Sequence, residues 1–263
     1  MTNRDWTYLN VDETGLVPVV TFSRPDKLNA LNSDMFEEIG EAVKWLDSRS
    51  RSNSIILTGS GKGFIAGADL SEYGESDAES FERFQELGTR VYDTLRDSRQ
   101  IIIAAVNGFA LGGGMEMVLA CDVAFASDRA KLGLPEIGVG LLPGGGGTAV
   151  LASTLSSAVA KDLILSGRMM SATEAKQLGI VQYVTGPNGL MPEAIAYGEK
   201  LNSYSSKALS EIKHLLDQRV TFSDGARQRE RAALMRLFDS PDGREGISAF
   251  LEKRQARFGE REI

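Results

Sequence analysis

Histidine and cysteine are almost absent: the 263 residues hold one of each, His214 and Cys121. A lone cysteine excludes an internal disulfide framework and is compatible with a reducing compartment. A lone histidine argues against a histidine-based metal site, and no metal is expected. It also removes the Ser–His and Cys–His pairs of nucleophilic catalysis. Acid–base chemistry in this chain therefore falls to carboxylates. Long apolar runs are missing too. None approaches the ~20 residues that span a bilayer, so no membrane partner is expected. The N-terminal MTNRDWTYLN lacks the basic-then-apolar order of a secretory signal, which predicts a cytoplasmic protein. Nor is there an excess of positive charge. With 29 Lys and Arg against 36 Asp and Glu, the net charge is −7, which argues against a nucleic-acid partner. A polyanionic ligand would have to rely on local cations and backbone N–H groups.

What is present fits an ordinary globular protein, at 42% hydrophobic and 25% charged residues. The length suits one large domain, or one domain with an appendage. The segments 17–22, 54–59, 101–106 and 122–127 read as strands. IIIAAV (101–106) is apolar throughout, as a strand covered on both faces would be. Between the strands lie helical patterns. One starts with Ser33 as a candidate cap and carries Phe36, Ile39, Ala42, Val43 and Leu46 on one face. A second covers about 77–97, with Phe81, Phe84, Leu87, Val91 and Leu95 on its stripe. Strands separated by helices predict an α/β fold with parallel pairing. After about 190 the strand signal ends. Residues 190–203, 205–219, 222–238 and 241–258 read as helices, the last with Ser240 as N-cap and Pro241 at its first position. Their apolar faces can pack on a neighbouring subunit or on the same chain.

Three small-residue turns carry the functional signal. ALGGGME (110–116) follows a strand and opens a helix near Gly112. The first N–H groups of a helix lack intrahelical partners and sit at the positive end of its dipole. Glycines leave those donors open to an anion or to a carbonyl oxygen gaining charge. Glu116 lies about one turn further in. The alternative is a tight packing turn with a surface glutamate. FIAGADL (64–70) offers another close backbone approach, with Asp69 placed to cap the next helical turn, and also reads as a plain structural turn. LPEIGVGLLPGGGGT (134–148) combines Glu136 with the glycines 144–147. It lacks the lysine and spacing of a phosphate-binding P-loop and is not a dinucleotide GxGxxG. Two glutamates beside bare backbone donors point to proton transfer on a substrate that develops negative charge.

Together these segments resemble the crotonase family, the enoyl-CoA hydratases and isomerases. The matching pieces are SRPDKLNALN (23–32), GKGFIAGADL (61–70), AAVNGFALGGGMEMVLACD (104–122), LGLPEIGVGLLPGGGGT (132–148), SGRMMSATEAKQLGIVQYV (166–184) and FLEKRQARF (250–258), in the family's order. The resemblance implies an α/β spiral of ββα units over residues 1–195. It implies a C-terminal helical oligomerisation region over 196–263, forming a homotrimer or a dimer of trimers. It further implies that the N–H groups of Ala68 and Gly113 form an oxyanion hole for an acyl thioester. Glu116 and Glu136 match the two catalytic carboxylates, the first activating water and the second serving Cα. Ala66 would meet the adenine of coenzyme A, and Asp69 and Leu70 would line the thioester end. Gly144 would help hold the water, and Phe250 and Lys253 would reach the coenzyme A moiety. The implied partner is an acyl-CoA substrate, and no cofactor is expected beyond that coenzyme A.

The implied reaction is reversible hydration of a 2-enoyl-CoA to a 3-hydroxyacyl-CoA. The alternatives are a double-bond isomerase, a specialised hydratase of the same family, or a non-catalytic RNA-binding member. Retention of Glu116 favours hydration, because the isomerase branch uses one glutamate at the position of Glu136. Two departures bear on ligand grip. The family's GGTQRL is GGTAVL here, and Ser71 stands where some hydratases have lysine. His214 reads as a polar helix-face residue and Cys121 as a small buried one. The pocket is expected to be shaped by residues 72–96 and the C-terminal helices.

Overall fold

The computed structural model describes residues 4–217 and 224–258. From β3 onward strands come in pairs, and each pair is split between two sheets. In the six-stranded sheet the order is β1 (Leu9–Asp12), β2 (Val19–Phe22), β3 (Ser54–Gly59), β5 (Ile101–Val106), β7 (Val123–Ser127) and β10 (Tyr183–Thr185). The four-stranded sheet is β4 (Gly63–Ile65), β6 (Phe109–Leu111), β8 (Lys131–Gly133) and β9 (Met170–Ser171). Pairing is parallel except for β1 with β2 and β8 with β9. The chain thus leaves β3, β5 and β7 of the larger sheet and steps at once into β4, β6 and β8 of the smaller one. That repeated step makes the spiral.

The continuous apolar run of β5 has a direct cause. Ile102, Ala104 and Val106 face the main core, while Ile101, Ile103 and Ala105 face a second cluster with Leu190, Ala194 and Leu201 of α8 (Leu190–Asn202). Both faces of the strand are covered, so no polar residue is tolerated on either. On the core side, α1 (Ser33–Arg49) buries the stripe read from its sequence. Its N-cap is Asn32, whose side chain accepts from the Met35 N–H at 3.0 Å. Ser33 is instead the first helical residue, and its hydroxyl bonds Glu72 of α2 (Leu70–Glu75). The helix α3 (Ala78–Asp97) is capped by Asp77 and buries Phe81, Phe84, Val91, Tyr92 and Leu95.

The remaining helices are α4 (Gly113–Ala120), α5 (Gly147–Thr154), α6 (Ser157–Ser166) and α7 (Ala172–Gln177), followed after α8 by α9 (Ser206–Asp217), α10 (Asp224–Phe238) and α11 (Pro241–Leu251). Residues 218–223, the end of the segment read as 205–219 and the start of 222–238, lie outside the described residues. The segment read as one helix over 241–258 is shorter: α11 starts on the Ser240 cap but ends at Leu251. Lys253 takes a positive φ of 54°. The Glu245–Arg254 ion pair then holds the chain folded back, leaving Phe258 beyond the helix. In the single chain α10 and α11 pack on α3, α5, α2 and the 3-10 turn Glu136–Val139. Leu234, Phe238 and Ile247 are buried there. Among the described residues no helix is long and apolar enough to cross a membrane.

Candidate active site

The N-terminus of α4 is built by glycine. Gly112 adopts φ 52° and ψ −123°, a combination that side chains strongly disfavour. It caps α4 with its backbone, accepting from the Glu116 N–H at 3.0 Å. Gly114 lets α4 press on the smaller sheet, since a methyl group there would stand 2.0 Å from the Ile65 carbonyl oxygen. Beside this turn lies the FIAGADL turn. Leu31 bridges to it by donating to the Gly67 carbonyl at 2.9 Å and accepting from the Asp69 N–H at 2.7 Å. That register skips the Ala68 N–H. Among the described residues neither the Ala68 N–H nor the Gly113 N–H has a hydrogen-bond partner, and both residues line one cavity of about 520 Å³.

Both glutamates line the same cavity. Glu116 is 5% exposed, and its Oε1 accepts from the N–H groups of Gly145 and Gly147, each at 2.8 Å. Glu136 opens the 3-10 turn with its carboxylate over Gly112, where a methyl group would be 3.0 Å from Glu136 Oε1. Its Oε2 is buried and has no hydrogen-bond partner among the described residues. The two acids therefore flank the start of α4, one at the cap and one a turn inside.

Burial is the main reason both carboxyls titrate high. Glu116 is raised to about 7 by burial and by the negative charge of Glu230, against the opposing pull of the Gly147 and Gly145 N–H groups and of Arg96. Glu136 is raised to about 8 by burial and then by Glu116. Like charges this close do not both ionise cheaply, so the pair titrates as a unit that retains a proton near neutrality.

The cavity holds Ala66, Leu70, Gly144 and Phe250 along with the two donors and two acids. Phe250 is 59% exposed at its mouth. Asp69 and Lys253 stand elsewhere. Asp69 turns inward, capping α2 and pairing with Arg24 at 3.0 Å, and Ser71 bonds the same carboxylate. Lys253 is an exposed residue after α11. Aromatic rings from α1, α2 and α3 (Phe36, Tyr73, Phe81, Phe84, Tyr92) and Leu234 of α10 form much of the remaining wall. Tyr73, Phe81, Phe84, Tyr92 and Leu234 fall within the 72–96 and C-terminal contribution expected from the sequence, whereas Phe36 of α1 lies outside it.

Three polar residues of this region are not legible in its motifs. Tyr92 donates from its hydroxyl to the Gly113 carbonyl at 2.9 Å. Gln85 donates to the Tyr73 hydroxyl at 2.9 Å. Glu230 bonds the Ala149 N–H at 3.3 Å. Tyr92 and Gln85 sit on the buried face of α3, where the helical period marks burial but not a polar tip. Cys121 donates to the Met117 carbonyl, and burial pushes its thiol up, away from the reactive thiolate. Among the described residues no cluster of histidine, cysteine and carboxylates could hold a metal ion.

Residues 12–261 match the family model for enoyl-CoA hydratase/isomerase. The chain is 40% identical over 255 residues to a probable enoyl-CoA hydratase of Rhizobium meliloti (strain 1021), covering 96% of this chain and 98% of that protein. It is 38% identical over 247 residues to a short-chain-enoyl-CoA hydratase of Clostridium acetobutylicum, covering 93% and 95%. A crystal structure of an enoyl-CoA hydratase from Mycobacterium avium subsp. paratuberculosis K-10 superposes with a TM-score of 0.86 at 28% identity, covering 97% of this chain and 99% of that one. With its two-sheet spiral and glycine-built turns, the chain belongs to the enoyl-CoA hydratase/isomerase family.

Proposed function

We propose that the protein is an enoyl-CoA hydratase, adding water across the 2,3 double bond of a 2-enoyl-CoA. One observation carries the reading: an unpartnered, buried oxygen of Glu136 shares a cavity with a second buried glutamate and two unpartnered backbone N–H groups. Hydration needs a water at Cβ, a proton at Cα, and support for negative charge on the thioester oxygen. The Ala68 and Gly113 N–H groups supply that support, and one such donor is typically worth about 3 kcal/mol. Glu116 accepts the proton of the water, which the Gly144 N–H helps to hold. Glu136, the higher-titrating acid, delivers a proton to Cα. Both acids are needed for addition of water, which favours hydration over a one-glutamate isomerisation.

Coenzyme A enters past Ala66 and Leu70, with Phe250 at the mouth. Asp69 serves this end by fixing the α2 cap, and Lys253 faces the phosphates from outside the cavity. The coenzyme is part of the substrate, and the chemistry requires no other cofactor. Residues 1–195 form the catalytic spiral, and residues 196–263 mediate assembly into a homotrimer or a dimer of trimers in the cytoplasm.

The test is loss of the conjugated thioester absorbance of crotonyl-CoA and longer 2-enoyl-CoAs, with 3-enoyl-CoAs in parallel. Hydration of at least one 2-enoyl-CoA, lost in both Glu116→Gln and Glu136→Gln, is the expected result. Interconversion of 3-enoyl and 2-enoyl thioesters without hydration would overturn it in favour of an isomerase.

A further inference from the structure

A third carboxylate is buried at the turn that holds Glu116. Glu230 of α10 is 9% exposed, and its Oε2 accepts from the Ala149 N–H at 3.3 Å. Burial raises its carboxyl above the ordinary carboxylate range, and hydrogen bonding from Thr148, Ala149 and Gly146 pulls it back towards the charged form. The start of α5 is thus shared from two sides. Glu116 takes the Gly145 and Gly147 N–H groups from the substrate cavity. Glu230 takes the Ala149 N–H from a second cavity of about 350 Å³, lined with Thr89, Gln228 and Arg231. Gly144 and Gly145 line both cavities. These two glycines add no side chain of their own to the partition between the cavities.

The neighbouring charges leave this arrangement acidic. Arg231 follows Glu230 on α10, but its guanidinium is engaged by Glu86 of α3 at 3.2 Å and by the Thr89 hydroxyl at 3.0 Å. Arg90 of α3 also pairs with Glu86. Arg96 of α3 is the cation that acts on Glu116, and Tyr73 and Tyr92, the phenols nearby, are held neutral by burial. α5 contributes no ionisable side chain. On α11, Arg244 pairs with Asp239, Glu245 pairs with Arg254, and Asp242 adds a further acid. Burying a third carboxylate here is costly, and the N–H groups at the start of α5 offset only part of that cost.

We propose that Glu230 is a positioning residue that sets how tightly the Glu116–Glu136 pair holds its proton, acting through the start of α5. When ionised, its carboxylate opposes ionisation of the pair, and its bond to Ala149 fixes the helix start from which Glu116 is held. Glu230 touches no reacting atom. Its role bears on the reaction assigned above and rests on that reading for the kinetic test only.

Glu230→Gln is nearly isosteric and keeps an acceptor for the Ala149 N–H while removing the charge. Hydration requires one acid ionised and the other protonated, so kcat/KM follows a bell against pH. Without the Glu230 charge both carboxyls ionise more readily. Both limbs should therefore move to lower pH, by about half a pH unit or more, with KM for crotonyl-CoA little changed. Glu230→Asp keeps the charge and should leave the limbs near their wild-type positions even if thermal stability falls. A purely structural role predicts a uniform drop at every pH with both limbs in place.

A measurement without substrate separates this proposal from the hydratase reading. The carboxylic-acid C=O stretch of the protonated pair is followed by infrared titration in the wild type and in Glu230→Gln, with Glu116→Gln assigning the band. Its midpoint should also move to lower pH. A wild type inert towards every 2-enoyl-CoA removes the hydratase reading, and the infrared midpoint then decides this one. An unmoved midpoint in folded Glu230→Gln overturns it, as does a midpoint that Glu230→Asp shifts as far as the amide does.

Discussion

The Tyr92 hydroxyl donates to the Gly113 carbonyl at 2.9 Å, and the Tyr92 ring lies against the turn that anchors Glu116. A methyl group on Gly145 would come within 2.3 Å of Tyr92 Cε2. One side chain therefore ties the candidate oxyanion donor to the turn that holds the candidate base. Tyr92→Phe keeps the ring and removes the bond. A net hydrogen bond of about 0.5–1.5 kcal/mol corresponds to roughly a twofold to tenfold effect. We expect kcat to fall within that range with KM less affected, measured by crotonyl-CoA hydration. An unchanged kcat would show that Gly113 is held without Tyr92.

Glu116 serves both as a chemical group and as a structural acceptor, and two substitutions separate those roles. Its Oε1 alone accepts from Gly145 and Gly147. Glu116→Gln can keep both bonds through its amide oxygen, so it should fold like the wild type while turnover drops by roughly 10²–10⁴. Glu116→Ala leaves both N–H groups without that acceptor, at about 1–3 kcal/mol for each that stays buried. It should lose turnover similarly and also unfold at a distinctly lower temperature. Equal melting temperatures for the two variants would contradict the anchoring role.

How far the sequence discloses this site depends on the length scale of each feature. The strands over 17–22, 54–59, 101–106 and 122–127 all belong to the larger sheet, where runs are long and apolar enough to show. The partners β4, β6, β8 and β9 have two or three residues each, too few to display a period. The spiral is therefore legible only through resemblance. The glycine turns announce the donors, because unobstructed N–H groups require glycine or alanine. Asn32 rather than Ser33 caps α1, a one-residue ambiguity between two good capping types. Asp69 shows the limit of motif transfer: its place in the motif is kept, yet its carboxylate turns to Arg24 and the α2 cap. Glu230 lies far beyond Glu116 in sequence, on a charged helix, and nothing in RQRERAALMR distinguishes it from a solvated face.

Lys213 of α9 is a buried lysine placed away from the cavity. Its ammonium donates to the Leu95 carbonyl at 2.8 Å and the Gln100 carbonyl at 3.0 Å, and pairs with Asp122 at 2.9 Å. It thereby joins α9 to the end of α3 and the start of β5. Lys213→Met removes the cation from a buried ion pair, a change that costs about 3–5 kcal/mol. Urea unfolding should show a lower midpoint with an unchanged slope. Activity per folded molecule should be retained, because no cavity residue is touched.

Glu136 makes stability depend on pH in a direction opposite to that of a salt-bridged carboxylate. Its folded-state value is raised from 4.5 to about 8, chiefly by burial and next by Glu116. Between those values the folded chain binds the proton more tightly than the unfolded chain does. The resulting stability is full below the unfolded value and is lost as pH rises through the folded one. Glu136→Gln removes this ionisation. Its melting temperature should match the wild type near pH 5, exceed it increasingly towards pH 8 and level off above, since a tenfold difference in proton affinity between the folded and unfolded chains corresponds to about 1.4 kcal/mol. The gain is read by thermal unfolding at a series of pH values, with turnover lost in the same variant. A difference that stays constant with pH would mean that Glu136 is solvated and ionised in the folded chain, and that it holds no proton to give to Cα.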